Sequence, residues 1–126
     1  AREKRAARPT RHGVVFHAER KSDGAILLRK RPLKGLLGGM LELPGSDWRD
    51  RPFGDAEALA LAPAGSDWHK EGLVRHVFTH FALEMVVYSG FAARLSQGCF
   101  WAKLEDLPKL ALPTLMKKVI KAAQEI

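Results

Sequence analysis

Three consecutive residues, Phe78, Thr79 and His80, place an aromatic ring, a hydroxyl and an imidazole side by side. A hydroxyl and a neutral imidazole each donate and accept hydrogen bonds, so the triplet can recognise the polar edge of a ligand while the ring packs beside it. Apolar and polar residues alternate after the triplet, which predicts a strand over Phe81–Ala92. On these residues alone, a plain connection between two strands with a satisfied histidine is the favoured explanation of the triplet.

The positive charge of the chain is concentrated near its start. The formal net charge is +7, and residues 1–34 contain eleven Lys and Arg against three acidic residues, whereas the other 92 contain ten against eleven. Such asymmetry is typical of a surface that faces a polyanion. For residues 1–8, a solvated basic linker remains an equal alternative. The candidates for contact with a phosphate backbone are Arg11, Arg29, Arg31, Lys34 and Arg75.

Several kinds of site are excluded by composition. The single cysteine, Cys99, cannot form an internal disulfide or a site that needs several thiolates, such as an iron–sulfur cluster, and we expect it to be a small buried residue in a reducing compartment. His76 and His80 would face one way only on a helix, but the residues between them favour a strand and a turn, so no metal site is predicted. No apolar run approaches the roughly 18 residues that span a bilayer.

The hydrophobic pattern predicts an α+β domain. The expected strands cover His12–Glu19, Ala25–Arg31, Met40–Leu43, Leu73–Phe78, Phe81–Ala92 and Phe100–Leu104. A short helix is expected over Asp55–Leu61 with Asp55 as its N-cap, and residues 64–72 read as a polar loop anchored by Trp68. The clearest helix follows Pro113, because apolar residues recur there with helical spacing. That stripe consists of Leu115, Met116, Val119, Ile120 and Ala123.

A glycine-rich segment, Gly35–Gly45, follows the second predicted strand. Its glycines imply close approaches of the backbone, and its Pro44-Gly45 end marks a turn. The segment matches neither the GxxxxGK[ST] nor the GxGxxG pattern of phosphate-binding loops, so it is weak evidence for a nucleotide site by itself.

The order of these elements, together with the spacing RxxxGLxGGxxExPG, resembles the Nudix fold, and more specifically the C-terminal domain of MutY-type A/G-specific adenine DNA glycosylases. The resemblance implies a mixed β-sheet flanked by helices and closed by a C-terminal amphipathic helix. The chain length predicts one domain, placed at residues 12–126, and the polar residues 1–11 are expected to be a basic connector. The chain is expected to be a piece of a longer protein. The matching segments are Leu28–Pro32, Gly35–Gly45, His76–Phe81, Phe100–Trp101 and Leu112–Pro113.

The carboxylates of a Nudix hydrolase are missing from the expected positions. That enzyme pattern runs Gly, five residues, Glu, seven residues, Arg-Glu, two residues, Glu-Glu, because several carboxylates on one helix hold divalent cations at a pyrophosphate. Counted from Gly45, the acidic positions fall on Arg51, on the Leu59-Ala60 pair and on the Pro63-Ala64 pair. We therefore predict no catalytic residue and no metal ligand in this chain.

What the resemblance implies instead is recognition of 8-oxoguanine opposite the adenine that is removed. The Phe-Ser-His loop of that family maps onto Phe78, Thr79 and His80, with Thr in place of Ser. In 8-oxoguanine N7 becomes a donor and C8 carries a carbonyl, so a hydroxyl can accept from the first or donate to the second. Phe78 would pack or stack against the nucleotide, and His80 would bind a phosphate or support the loop.

The resemblance also assigns the chemistry to a domain that this chain lacks. Hydrolysis of the N-glycosidic bond of a flipped adenine would belong to an upstream catalytic domain that carries an iron–sulfur cluster, so no cofactor is expected here. The expected partners are double-stranded DNA containing 8-oxoguanine:A and that catalytic domain, and no membrane. We expect a monomer in a bacterial cytoplasm, associated with the nucleoid.

Two other functions stay open. A divergent Nudix hydrolase of a nucleoside diphosphate derivative could use Asp47, Asp50 and Glu42 as its acids. A pure protein-interaction module would need no DNA contact, and strong salt dependence of DNA binding would oppose it.

Overall fold

The fold is organised by a long parallel pairing between two strands. In the computed structural model, which describes residues 8–124, the first strand runs parallel to the fifth from the pair Thr10–Ala82 to the pair Glu19–Phe91. The strands are β1 (Thr10–Glu19), β2 (Ile26–Lys30), β3 (Leu41–Glu42), β4 (Gly65–Val77), β5 (Ala82–Ala92) and β6 (Cys99–Ala102). The helices are α1 (Asp55–Leu59), α2 (Thr114–Gln124) and a 3-10 helix at Leu104–Lys109.

All six strands join one mixed sheet. The order is β3-β2-β1-β5-β4, and β6 pairs with β2 outside this path. The β1–β5 pair is parallel and the other pairs are antiparallel, so the predicted α+β fold with a mixed sheet and a C-terminal helix is confirmed. β1 begins at Thr10, two residues before the predicted start. Residues 1–7 of the predicted connector lie outside the described residues.

Two hydrophobic clusters cover the two faces of the sheet. The larger one packs α2 against the sheet and includes Val15, Leu83, Met85, Val87, Leu115, Met116 and Val119. The smaller one packs α1 on the other face and consists of Val14, Phe16, Ala58 and Tyr88. The faces separate because neighbouring residues of a strand, such as Val14 and Val15, point in opposite directions. Residues buried on both sides make β1 and β5 the centre of the core.

The terminal helix follows its predicted pattern. Leu115, Met116, Val119 and Ile120 are buried, while the lysines between them are exposed. The Pro113 carbonyl accepts the N–H groups of Met116 and Lys117, which continues the hydrogen bonding to the start of the helix. None of the helices among the described residues is long and apolar enough to cross a membrane.

The prediction of a polar loop over residues 64–72 was wrong, because this segment is the first half of β4. β4 is an edge strand, so most of its side chains are exposed and polar residues occur at positions of both parities. Register shifts at Ser66/His69 and Lys70/Gly72 also break the alternation that identifies a strand. Trp68 is nevertheless anchored as predicted, with its ring centre 5.5 Å from that of Phe16.

Three smaller features differ from the expectation. The N-cap of α1 is Gly54, and Asp55 instead accepts a hydrogen bond from the Tyr88 hydroxyl at 3.0 Å. β6 ends at Ala102, and Leu104 already belongs to the 3-10 helix, which tolerates Pro108. Cys99 is only half-buried, and burial raises the pKa of its thiol.

Gly45 lets the chain after β3 lie directly against β1. A Cβ atom at this position would lie 2.3 Å from the Val14 carbonyl oxygen. We expect Gly45→Ala to lower the free energy of unfolding by about 1–3 kcal/mol in urea denaturation, because backbone must move to relieve the clash. Gly54→Ala is the matched control, since its Cβ would meet nothing within 4 Å and only the N-cap preference is lost. Equal stability of the two variants would contradict the close approach.

Candidate nucleic-acid interface

The Phe78-Thr79-His80 triplet forms a tight turn between β4 and β5. The Phe78 N–H donates to the Phe81 carbonyl at 2.8 Å, which closes the connection in four residues. Thr79 and His80 are exposed at the tip, whereas Phe78 is half-buried. The Arg8 Nε donates to the Thr79 carbonyl at 3.0 Å, so a side chain from the segment before β1 holds the backbone of the turn. Side chains able to meet a ligand are thus held on a rigid hairpin.

The Phe78 ring belongs to an aromatic cluster inside the protein. Its centre lies 4.9 Å from the Phe81 ring and 5.9 Å from the Trp48 ring, which it stacks upon. The His76 ring meets it edge-on at 4.8 Å, and burial lowers the pKa of His76. Aromatic pairs at such separations are favourable beyond their burial. Phe78 therefore anchors the turn. His76 packs in the aromatic cluster, whereas His80 is exposed at the tip.

Trp48 is placed by a segment that runs along β1. Residues 44–49 pair with β1 through the bridges Val15–Gly45 and His12–Arg49, and the Ser46 hydroxyl accepts the Val14 N–H at 2.9 Å. The Trp48 ring lies over Gly13, where a Cβ atom would come within 2.8 Å of it. A glycine in β1 is thus required for the tryptophan to pack beside the turn.

A basic groove, formed by two adjoining cavities of about 560 Å³ each, extends on either side of Trp48. Both cavities are lined by Arg11, Trp48 and Phe81. The first continues to Arg29, Lys30, Arg31 and Glu42, and the second continues to Arg49, Asp50 and His80. Five cations and three carboxylates line the basic groove in total, so its walls are positive on balance.

Glu42 organises the cationic end of the basic groove. Its side chain is nearly buried and accepts hydrogen bonds from Arg29 Nε at 2.8 Å and from Arg31 Nη1 at 2.7 Å. Arg29 also donates to the Gly45 carbonyl, and the Arg31 guanidinium lies 4.8 Å from the centre of the Trp48 ring. One carboxylate between two guanidinium groups leaves a net positive charge that is fixed in position.

Other cations of the basic groove are not held in this way. The Arg11 guanidinium lies 5.7 Å from the centre of the Phe81 ring, and Lys30 is exposed. Within residues 8–124, the ion pairs include neither of these side chains. Arg11 and Lys30 are therefore the groove cations best able to turn towards a bound anion.

The structure brings most of the predicted site residues together. Arg11, Arg29, Arg31 and His80 line the basic groove, and Lys34 is exposed in the loop at its rim. Arg75 is not among them. In the β4–β5 ladder Arg75 lies opposite Glu84. Alternation along β5 puts Glu84 on the face of the smaller cluster, opposite the face of Phe78.

Sequence reasoning missed Trp48 and Arg49 as parts of the basic groove, and it included Lys30 only within the basic stretch Arg29–Lys34. Lys30 lies between two predicted phosphate-binding arginines, and this position in the sequence indicates that it also lines the groove. Trp48 lies in a segment without periodicity, so its place beside the turn depends on the pairing of residues 44–49 with β1.

The two carboxylates of α1 are bound by cations. Glu57 accepts two hydrogen bonds from Arg49 at 2.7 Å, and these lower the pKa of Glu57. Asp55 is paired with Lys70 at 2.9 Å, and the hydrogen bonds from Lys70 and Tyr88 lower the pKa of Asp55. Among residues 8–124, no three His, Cys, Asp or Glu side chains group as ligands of a metal ion.

Replacement of Glu42 by Gln leaves the Arg29 and Arg31 side chains close together without the negative charge that offsets their repulsion. We expect Glu42→Gln to lower the free energy of unfolding by about 2 kcal/mol, and added salt to recover part of this loss because it screens the two guanidinium groups. The measurement is urea denaturation at low and high salt. Glu84→Gln is the matched control, since that carboxylate is half-exposed and 3.8 Å from His12. A loss that salt does not change would contradict repulsion as the cause.

The comparisons with known proteins agree with this architecture. The NUDIX domain family matches residues 14–122. The adenine DNA glycosylases of Rattus norvegicus and Homo sapiens are 32% and 31% identical to the chain in alignments of 115 residues that cover 79% of this chain. The match is 22% of the rat protein and 20% of the human protein, so the chain spans about a fifth of these curated relatives.

Solved structures give the same result. The C-terminal domain of mouse MUTYH, crystallised in complex with human PCNA, superposes with a TM-score of 0.66 at 25% identity, covering 89% of this chain and 86% of that chain. A MutT NUDIX hydrolase from Burkholderia pseudomallei superposes with a TM-score of 0.69 at 22% identity over 93% of this chain and 98% of that one, which shows the shared fold. The chain thus belongs to the Nudix family, and within it resembles the C-terminal domain of the MUTYH adenine DNA glycosylase.

Proposed function

We propose that this chain is the lesion-recognition domain of an adenine DNA glycosylase, and that it binds duplex DNA carrying 8-oxoguanine opposite adenine. The observation that carries the proposal is the position of the exposed Thr79-His80 tip at one end of the basic groove. A duplex presents a base edge that the tip can contact and phosphates that the cations can contact.

Thr79 is proposed as the residue that distinguishes the oxidised base. Its hydroxyl can accept from N7–H of 8-oxoguanine or donate to its O8, and guanine offers neither of these groups. The backbone on both sides of Thr79 is fixed, by the Phe78–Phe81 hydrogen bond and by Arg8 on the Thr79 carbonyl. His80 lines the basic groove and is proposed to bind the phosphate beside the base.

The phosphate contacts are proposed to come mainly from Arg11 and Lys30. Arg29 and Arg31 share Glu42, so they contribute fixed positive charge more than mobile donors. Lys34 extends the contact at the rim. Arg75 lies on the opposite face of the sheet and is outside the proposed interface.

A divergent pyrophosphohydrolase has less support. Of its candidate acids, Glu42 is already bound by Arg29 and Arg31, and α1 is only five residues long. A protein-interaction role is supported by the crystallisation of the mouse MUTYH domain with human PCNA, and it is compatible with DNA binding elsewhere on the surface.

For the whole protein, we propose that another domain hydrolyses the N-glycosidic bond of adenine and holds the iron–sulfur cluster. The curated relatives are about five times longer than the matched segment, which leaves room for such a domain. The role of this chain would be to raise the affinity for the lesion strand, so that adenine is removed only opposite the oxidised base.

The hydroxyl of Thr79 can be tested by fluorescence anisotropy with 8-oxoguanine:A and G:A duplexes. We expect Thr79→Val, which keeps the shape and removes the hydroxyl, to reduce the preference for the oxidised duplex about fivefold, the value of one hydrogen bond near 1 kcal/mol. Thr79→Ser should keep the preference. A preference that survives Thr79→Val would remove Thr79 from the role of lesion reader.

Salt dependence tests the phosphate contacts. We expect Arg11→Ala and Lys30→Ala each to reduce the magnitude of the slope of log K against log salt concentration by about 0.9, because each cation releases counterions from one phosphate. Both variants should weaken binding to the two duplexes equally. Lys121→Ala, on the exposed face of α2, is the control and should leave the slope unchanged. A shallower slope in the control alone would place the DNA elsewhere.

A further inference from the structure

One apolar side chain stands out on the rim of the basic groove. Leu33 is 79% exposed, more than any other large hydrophobic side chain among the described residues. It lies in the glycine loop, residues 32–39, whose Pro32 and Leu36 line the groove. No acidic residue occurs between Asp23 and Glu42, so the charged residues near Leu33 in the sequence are all cations, with Lys30 and Arg31 before it and Lys34 after it.

Hydrogen bonds and close backbone contacts fix the glycine loop that carries Leu33. Gly39 N–H donates to the Pro32 carbonyl and Gly38 N–H donates to the Gly35 carbonyl, both at 3.1 Å, while the Arg31 side chain donates to the Leu36 carbonyl. A Cβ atom at Gly38 would lie 2.1 Å from the Leu33 carbonyl oxygen, so only glycine lets the two sides of the loop approach so closely.

Leu37 shows that this loop carries strain. Its φ is +59°, a conformation that costs a non-glycine residue free energy, and its side chain packs against the larger cluster. The loop therefore packs Leu37 partly against the core and leaves Leu33 exposed on a closed, hydrogen-bonded frame. An exposed apolar side chain among cations suits a nucleic-acid duplex, which is anionic on its outside and apolar between its stacked bases.

We propose that Leu33 is a wedge that inserts between neighbouring base pairs of the bound duplex, at the rim of the basic groove away from the Thr79-His80 tip. This inference rests on the proposed function. Inserted leucines partly unstack a base step and bend the duplex. Unstacking costs least next to a mismatched or damaged base, so the wedge would add to the preference for a lesion without touching the oxidised base. A membrane contact fits less well, because a single leucine offers little apolar area.

The test uses the 126-residue chain with 8-oxoguanine:A duplexes that carry 2-aminopurine at successive positions around the lesion. Binding of the wild type should raise the fluorescence of 2-aminopurine at one step, because the probe becomes unstacked. Leu33→Ala should abolish this rise and weaken binding about tenfold, the value of one buried leucine side chain. Leu33→Ala should not change the slope of log K against log salt concentration. Leu33→Phe should restore the fluorescence rise.

Two controls separate the wedge from general effects. Leu95→Ala removes another half-exposed leucine, in the turn between β5 and β6, and should change nothing. Lys34→Ala should make the salt slope shallower and leave the fluorescence rise intact. Because Leu33 is exposed, the melting temperature of Leu33→Ala should equal that of the wild type.

The possible failures are distinguishable. If Leu33→Ala keeps the fluorescence rise, or if the wild type binds the lesion duplex with preference but unstacks no step, the wedge is wrong and the proposed function stands. If the wild type binds no duplex, both are wrong. If Leu33 instead governs sedimentation with phosphatidylserine vesicles while no step is unstacked, the glycine loop is a membrane contact and the wedge is again wrong.

Discussion

The parallel register of β1 and β5 is the constraint on which the candidate interface depends. Because Thr10 is paired with Ala82, the first residues of β1 lie beside the turn that ends β4. Arg11 is thereby brought to Phe81 and to the exposed Thr79-His80 tip, although about seventy residues separate them along the chain. A shift by one residue would reverse the faces and carry Arg11 away from the basic groove.

A second constraint is the contact between residues 44–49 and β1. β1 and β2 are paired only at the Glu19–Ile26 position, so the opposite half of β1 has a free edge, and this segment fills it. Gly13 and Gly45 make the contact close enough for Trp48 to reach Phe78. Trp48 then connects the two ends of the basic groove, since its ring meets the aromatic cluster on one side and the Arg31 guanidinium on the other.

A structural feature could be predicted from the sequence when the interactions that produce it are local. The stripe of α2 and the alternation of β5 are local patterns, and the structure confirms both. The first half of β4 was missed because an exposed edge strand with irregular register has no such pattern. The Arg29–Glu42–Arg31 cluster depends on the register between β2 and β3, which no local pattern reveals. Arg75 lies apart from the other cations because neighbouring residues of a strand point to opposite faces, a local rule that was not applied when Arg75 was chosen as a candidate.

The carboxylates of the basic groove have a consequence for specificity. Without Glu42, Asp47 and Asp50, five cations would attract any duplex, and a sequence-independent phosphate term of that size would outweigh one hydrogen bond to a base. If the domain recognises rare lesions as proposed, it benefits when the difference between sites is large relative to the affinity common to all sites. By holding two arginines in place while cancelling one of their charges, Glu42 keeps the geometry of the groove and lowers its general attraction. Under the proposed function, the hydroxyl of Thr79 would then decide which duplex is retained.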